Sequence, residues 1–146
     1  MATQLRTFLW FNKDLENALE FYQNTFGDVQ IRNKTIANGE LFVAEFSIYG
    51  YDLIAMNVQG GPQFNDSISL SLHVENQEEV DRLWAAITTE GEEGRCGWCK
   101  DKWGLSWQIT PQEMHKWLAN PDPEIRNYAN KALMGMNKIV LDDLHF

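Results

Sequence analysis

The chain has 146 residues, 44% of them hydrophobic, which suits one domain with a core that needs neither disulfides nor a structural metal. A formal net charge of -9 disfavours a nucleic-acid partner, which would require a basic face, and docking on an anionic membrane. No apolar run approaches the roughly 18 residues of a membrane span. The first residues lack a signal-peptide core, and two cysteines are too few for a disulfide framework, so a cytoplasmic, reducing location is expected.

Leu5 to Phe11 is bulky and apolar and reads as a buried strand. Asp14 stands as a helix N-cap. Leu15, Ala18, Leu19, Tyr22 and Phe26 follow at helical spacing, and Gly27 supplies the stop. Three strands are expected next, at Val29 to Ile36, Leu41 to Tyr49 and Asp52 to Val58. Asn38-Gly39 marks the first turn between them and Gly50 the second. Gln59-Gly60-Gly61-Pro62 breaks the pattern as a linker.

The order then repeats. Ile68, Leu70, Leu72 and Val74 alternate with Ser69, Ser71 and His73, a period of two. Asn76 and Glu79 suggest a capping box. Val80, Leu83, Trp84 and Ile87 give the next helix its apolar face, with Gly91 as its end. Short strands flank a turn at Asp101-Lys102-Trp103-Gly104, and Leu105 to Thr110 closes the unit. Thr110, Pro111 and Glu113 read as the start of a helix reaching about Ala119. Asp122-Pro123 starts another helix, and Ile139, Val140 and Leu141 are expected to dock the terminus. The chain thus reads as α+β: module one at about 4–58, module two at about 67–110, each βαβββ, and a helical tail at 111–146.

Phe8-Leu9-Trp10-Phe11, Ala18-Leu19-Glu20-Phe21-Tyr22 and Gly60-Gly61-Pro62 resemble the PhnB-like group of the glyoxalase, or vicinal-oxygen-chelate (VOC), superfamily. So do Glu92-Glu93-Gly94, Cys96-Gly97-Trp98 and the run Lys100 to Ile109. Asn120-Pro121-Asp122-Pro123 extends the likeness. The group also goes under the name 3-demethylubiquinone-9 3-methyltransferase. The resemblance implies the glyoxalase/bleomycin resistance/dioxygenase fold, with paired βαβββ modules whose mixed sheet curls into a ligand-holding cup, and a homodimer. The cup-lining residues expected are Thr7, Leu9, Phe11 and Met56 from module one, and Ser69, Ser71, His73, Trp98, Trp103 and Gln108 from module two.

Metal-dependent members of the superfamily place His and Glu at four strand positions. Alignment puts Thr7, Ser69 and Gln108 at three of them, and the fourth falls within Leu53 to Asn57. Hydroxyls and a neutral amide do not compensate a divalent ion, so no metal and no cofactor is expected. Neutral hydrogen-bonding groups beside aromatics suit a small, partly apolar ligand. The alternative is a metal-independent, lyase- or isomerase-like enzyme with His73 as base. Cys96-Gly97-Trp98-Cys99 has redox CxxC spacing but lies in a strand and turn region instead of opening a helix, which favours structural thiols. No Gly-rich strand-to-helix turn for S-adenosylmethionine is present, so methyl transfer is not expected.

Overall fold

The structure, a computed structural model, describes residues 2–146. It divides into two compact units, one ending at Gln63 and one spanning Phe64–Phe146.

The first unit runs β1 (Thr7–Phe11), α1 (Leu15–Phe26), β2 (Val29–Ala37), β3 (Glu40–Ile48) and β4 (Tyr51–Asn57). The strand order is β1-β4-β3-β2, with β1 parallel to β4 and the other neighbours antiparallel. The β2–β3 turn is Asn38-Gly39 and the β3–β4 turn Tyr49-Gly50, with all four residues at positive φ, as two-residue hairpins of the mirror-image type require. Tyr49 accepts that strained conformation in a bonded setting: its ring packs on Phe26 at 5.9 Å and its hydroxyl donates to the Phe26 carbonyl at 3.1 Å.

Helix α1 buries Leu15, Ala18, Leu19, Tyr22 and Phe26. Asp14 precedes it in the left-handed region and makes no side-chain cap, which corrects the N-cap expected there. The sheet face that α1 covers follows from register and burial. Leu9 pairs with Ala55, Leu53 with Phe46, and Ala55 with Ala44, and paired residues point to one side. Leu9, Phe11, Ala44, Phe46, Leu53 and Ala55 are all buried, so this is the face beneath the unit's one helix.

The second unit runs β5 (Leu70–Val74), α2 (Gln77–Thr88), β6 (Glu92–Glu93), β7 (Trp98–Lys100) and β8 (Ser106–Pro111), in the order β5-β8-β7-β6. This is the same arrangement as in the first unit, on shorter strands. Asn76 caps α2 by accepting from the Glu79 amide at 3.0 Å, whereas the Glu79 carboxylate turns to Arg82, so only half of the expected box forms. Val80, Leu83, Trp84 and Ile87 of α2 are buried. They face the sheet side that carries Leu72, Cys99, Trp107 and Ile109, which register places together.

Asp101 organises the β7–β8 turn. Its buried carboxylate accepts from the amides of Trp103 (3.0 Å) and Leu105 (3.1 Å) and from the indole N–H of Trp107 (2.9 Å). The turn residues were legible in the sequence, but the reach to Trp107 was not.

The tail departs from expectation at its start. Pro111 ends β8, a 3-10 turn follows at Gln112–Met114, and α3 covers only His115–Leu118. Thr110 does not cap it, because its hydroxyl bonds the Leu72 carbonyl at 3.2 Å. Helix α4 (Pro123–Met134) is capped as expected, with Asp122 accepting from the Glu124 amide. A further 3-10 turn spans Leu141–Leu144. Met114, Ala129, Ile139 and Leu144 form the tail's own core. Gln77 clamps the tail, giving its amide to the Ile139 carbonyl and accepting from the Leu141 amide, both at 2.8 Å. The amides of Cys96 and Gly97 bond the carbonyls of Met136 and Asn137.

Candidate functional site

In the second unit, the sheet face opposite α2 is polar. Register pairs Ser71 with Gln108, His73 with Thr110, Trp98 with Gln108, and Lys100 with Ser106. Ser69, two residues before Ser71, completes the row, and the Gln108 amide donates to its hydroxyl at 2.9 Å. Ser106 donates to Asp66 at 3.0 Å, and Lys100 lies 3.4 Å from the same carboxylate oxygen.

The histidine in this row has a tautomer set by its neighbours. A carbonyl cannot donate, so the Thr110 hydroxyl spends its one hydrogen on Leu72. Thr110 Oγ1 therefore accepts from His73 Nδ1, 3.2 Å away. In neutral imidazole, Nε2 is then the acceptor, and Ser71 Oγ at 3.2 Å is its donor. The chain Ser71 to His73 to Thr110 to the Leu72 carbonyl runs along two paired strands.

A surface cavity of about 570 Å3 adjoins this row through Asp66, Trp98 and Lys100, and extends past Glu93, Arg95 and Cys96. Its size falls in the range of small-molecule sites. Cys96 in its wall and the neighbouring Gly97 are bonded to the tail. Gly97 has a φ of 87°, and a Cβ there would meet Ile139 Cδ1 at 2.8 Å, so only glycine fits.

Of the sequence-selected residues, Ser69, Ser71, His73, Gln108 and Trp98 share this face. Trp103 lies in the adjacent turn, half-buried, with Lys102 over its ring at 5.9 Å. In β1 the alternation runs the other way from the one expected. Leu9 and Phe11, 5% and 1% exposed, belong to the core beneath α1. Thr7 shares their side at its rim, bonded to the Tyr51 hydroxyl at 2.7 Å. The open face carries Phe8, Trp10 and Ile54, together with Met56, which among the four residues expected from this unit is the one that lies on it. Phe8 and Trp10 were missed because β1 is apolar on both sides, which leaves no alternation to read. The Gly60-Gly61-Pro62 motif explains itself here. A Cβ on Gly61 would overlap the Trp10 indole at 2.3 Å, Trp10 donates to the Val58 carbonyl, and Asn12 donates to that of Pro62.

Arg6 meets Glu45 at 2.7 Å on the same open face. The bond from Arg6, with help from Asn33, holds the Glu45 carboxyl below its ordinary range. The settings of the two cysteines favour structural thiols. Burial, aided by the Asp101 charge, pushes the Cys99 thiol up to about 12, and Cys96 gives its thiol hydrogen to the Leu133 carbonyl. Among the described residues, no three His, Cys, Asp or Glu side chains gather as metal donors. The Ser69–Gln108 pair offers only neutral oxygen and nitrogen, a poor match for a divalent ion.

The paired four-stranded units, each with a helix on one face, define a VOC-type fold, and solved structures agree. The chain is similar to the PhnB protein from Bacillus cereus, at 25% identity and a TM-score of 0.69, over 75% of this chain and 99% of that one. It is similar to the fosfomycin resistance protein FosX from Listeria monocytogenes, solved with Mn(II) and sulfate, at 19% identity and a TM-score of 0.58, over 75% and 91%. It is similar to a glyoxylase/bleomycin resistance protein/dioxygenase domain from Frankia sp. EAN1pec, at 15% identity and a TM-score of 0.52, over 75% and 96%. Residues 3–110 match the family described as 3-demethylubiquinone-9 3-methyltransferase, and the chain belongs to that family. No curated protein sequence matches it. The tail beyond residue 110 lies outside the family match.

Proposed function

We propose that the protein binds a small, partly apolar molecule on the open sheet face of its second unit, without a metal. The observation that carries this reading is the row Ser69, Ser71, His73, Gln108 and Thr110, hydroxyl, imidazole and amide hydrogen-bonding groups on one face beside Trp98. Such a surface orients a ligand with one or two polar atoms while the indole covers its apolar part. Arrival of a ligand would exchange the internal bonds of Gln108 and Ser71 for bonds to the ligand. Methyl transfer is not part of this reading despite the family description, since the chain lacks the Gly-rich strand-to-helix turn that usually holds S-adenosylmethionine. The proposal includes a homodimer residing in the cytoplasm, in keeping with the family resemblance; sedimentation velocity of the purified chain tests the dimer.

The test is a screen of neutral aromatic alcohols and amides against EDTA-treated protein, followed by tryptophan fluorescence and calorimetry. Saturable binding is expected, weakened about tenfold by Gln108→Ala, the value of roughly one hydrogen bond. Binding that appears only after a divalent metal is restored contradicts the proposal.

A further inference from the structure

The geometry points to Ser71 as a nucleophilic hydroxyl, with His73 as its base, acting on small acyl esters that have a good leaving group. The inference rests on the second unit's open face being the ligand face. A nucleophile activated by hydrogen bonding to a base, with a third group fixing the base, is the general constellation of covalent catalysis. Here Ser71 Oγ lies 3.2 Å from His73 Nε2, and Thr110 Oγ1 lies 3.2 Å from Nδ1. Because Thr110 spends its hydrogen on Leu72, it can only accept from Nδ1, which leaves Nε2 as the basic nitrogen facing Ser71. Ser71 and His73 are both exposed, so an ester can reach them. Gln108, the register partner of Ser71, gives one of its two amide hydrogens to Ser69. The other is a side-chain donor suited to a developing oxyanion.

The steps balance without a co-reactant other than water. Ser71 Oγ bonds to the ester carbonyl carbon while its proton passes to His73 Nε2, and the carbonyl electron pair moves onto oxygen. That pair returns as the bond to the alcohol breaks, and the departing oxygen takes the proton from Nε2. Water then adds to the acyl carbon, giving a proton to Nε2. The bond to Oγ breaks and Oγ recovers the proton. The sum is ester and water to acid and alcohol. Ser71 and His73 are the catalytic residues, and Thr110 is a positioning residue.

The test uses p-nitrophenyl acetate with the full chain. A burst of p-nitrophenol is expected, with one acetyl group located on Ser71 by peptide mass mapping. Ser71→Ala should abolish the burst, and His73→Ala should slow it about 100-fold or more. Thr110→Val should slow it less and displace its pH profile, with Thr110→Ser restoring both. Circular dichroism of each variant confirms folding, and Ser71→Cys, which should form a thioester, gives a second check on the nucleophile. Acetyl found on a lysine or on Cys96 while Ser71 stays free overturns the inference, as does a burst unchanged in His73→Ala. Acetanilide, an unreactive amide, separates the two readings. Saturable acetanilide binding without Ser71 acetylation defeats the esterase chemistry alone, whereas loss of both defeats the binding face as well.

Discussion

The two units share a strand order and differ in what their open faces carry. In each, one helix covers one side of a four-stranded sheet, and the buried centre of that side is apolar. The first unit's open face combines Phe8, Trp10, Ile54 and Met56 with the Arg6–Glu45 ion pair. The second unit's open face is a ladder of hydroxyls, an amide and an imidazole. The helix side is dictated by burial, so both copies solve it alike. The open side escapes that demand, and there the copies diverge. The units also differ in how they are held. The first has nine-residue strands at β2 and β3, while the second has strands of two and three residues at β6 and β7 and relies on Asp101 and the tail.

The comparison breaks first on the covered faces. Phe46→Ala and Trp107→Ala should each cost about 3–5 kcal/mol, read as equal shifts in urea midpoint. A much smaller loss at either would mean that its helix does not seal that side. Asp101→Ala should cost about 2–4 kcal/mol by taking the acceptor from the buried donors of Leu105 and Trp107 and from the part-buried Trp103 amide. Its signature is accelerated hydrogen exchange at Trp103 and Leu105, with the β2–β3 hairpin unchanged.

Cys99 sharpens the contrast through pH. Its folded value is raised to about 12 from an ordinary value of 9.0. The folded state therefore holds the thiol proton longer than the unfolded chain does. Its contribution to stability is complete below about pH 9 and is lost as pH rises from there toward 12. Alkaline denaturation of Cys99→Ala should show a flatter limb over that window, and in the native protein a thiol reagent should label Cys96 in preference to Cys99. The smallest effects belong to the open faces: Phe8→Ser and Ser71→Ala should change stability by no more than about 0.5 kcal/mol. A larger loss at Phe8 would show that its face is sealed in solution.

Much of this architecture was legible in the sequence because periodicity records burial. The stripe Leu15 to Phe26 and the alternation Leu70 to Val74 named their elements and, in the second unit, the correct open face. The same reasoning misplaced Leu9 and Phe11, because Phe8 and Trp10 are also apolar and only register with β4 separates the sides. Thr110 and Pro111 imitated a helix start, yet the Thr110 hydroxyl was committed to Leu72 and His73 on a neighbouring strand. Asp101 read as a turn residue, and its hold on Trp107 needed the pairing of β7 with β8. Each miss depends on a contact between elements that local pattern does not encode.

The account's central claim is tested most directly by amide NMR of metal-stripped, EDTA-treated protein titrated with acetanilide. Saturable shifts confined to Ser69 through His73, Trp98 and Gln108, unchanged by added Mn(II) or Zn(II) once paramagnetic broadening is allowed for, are the predicted result. Shifts centred on Phe8, Trp10 and Met56, or binding that requires the metal, would contradict it.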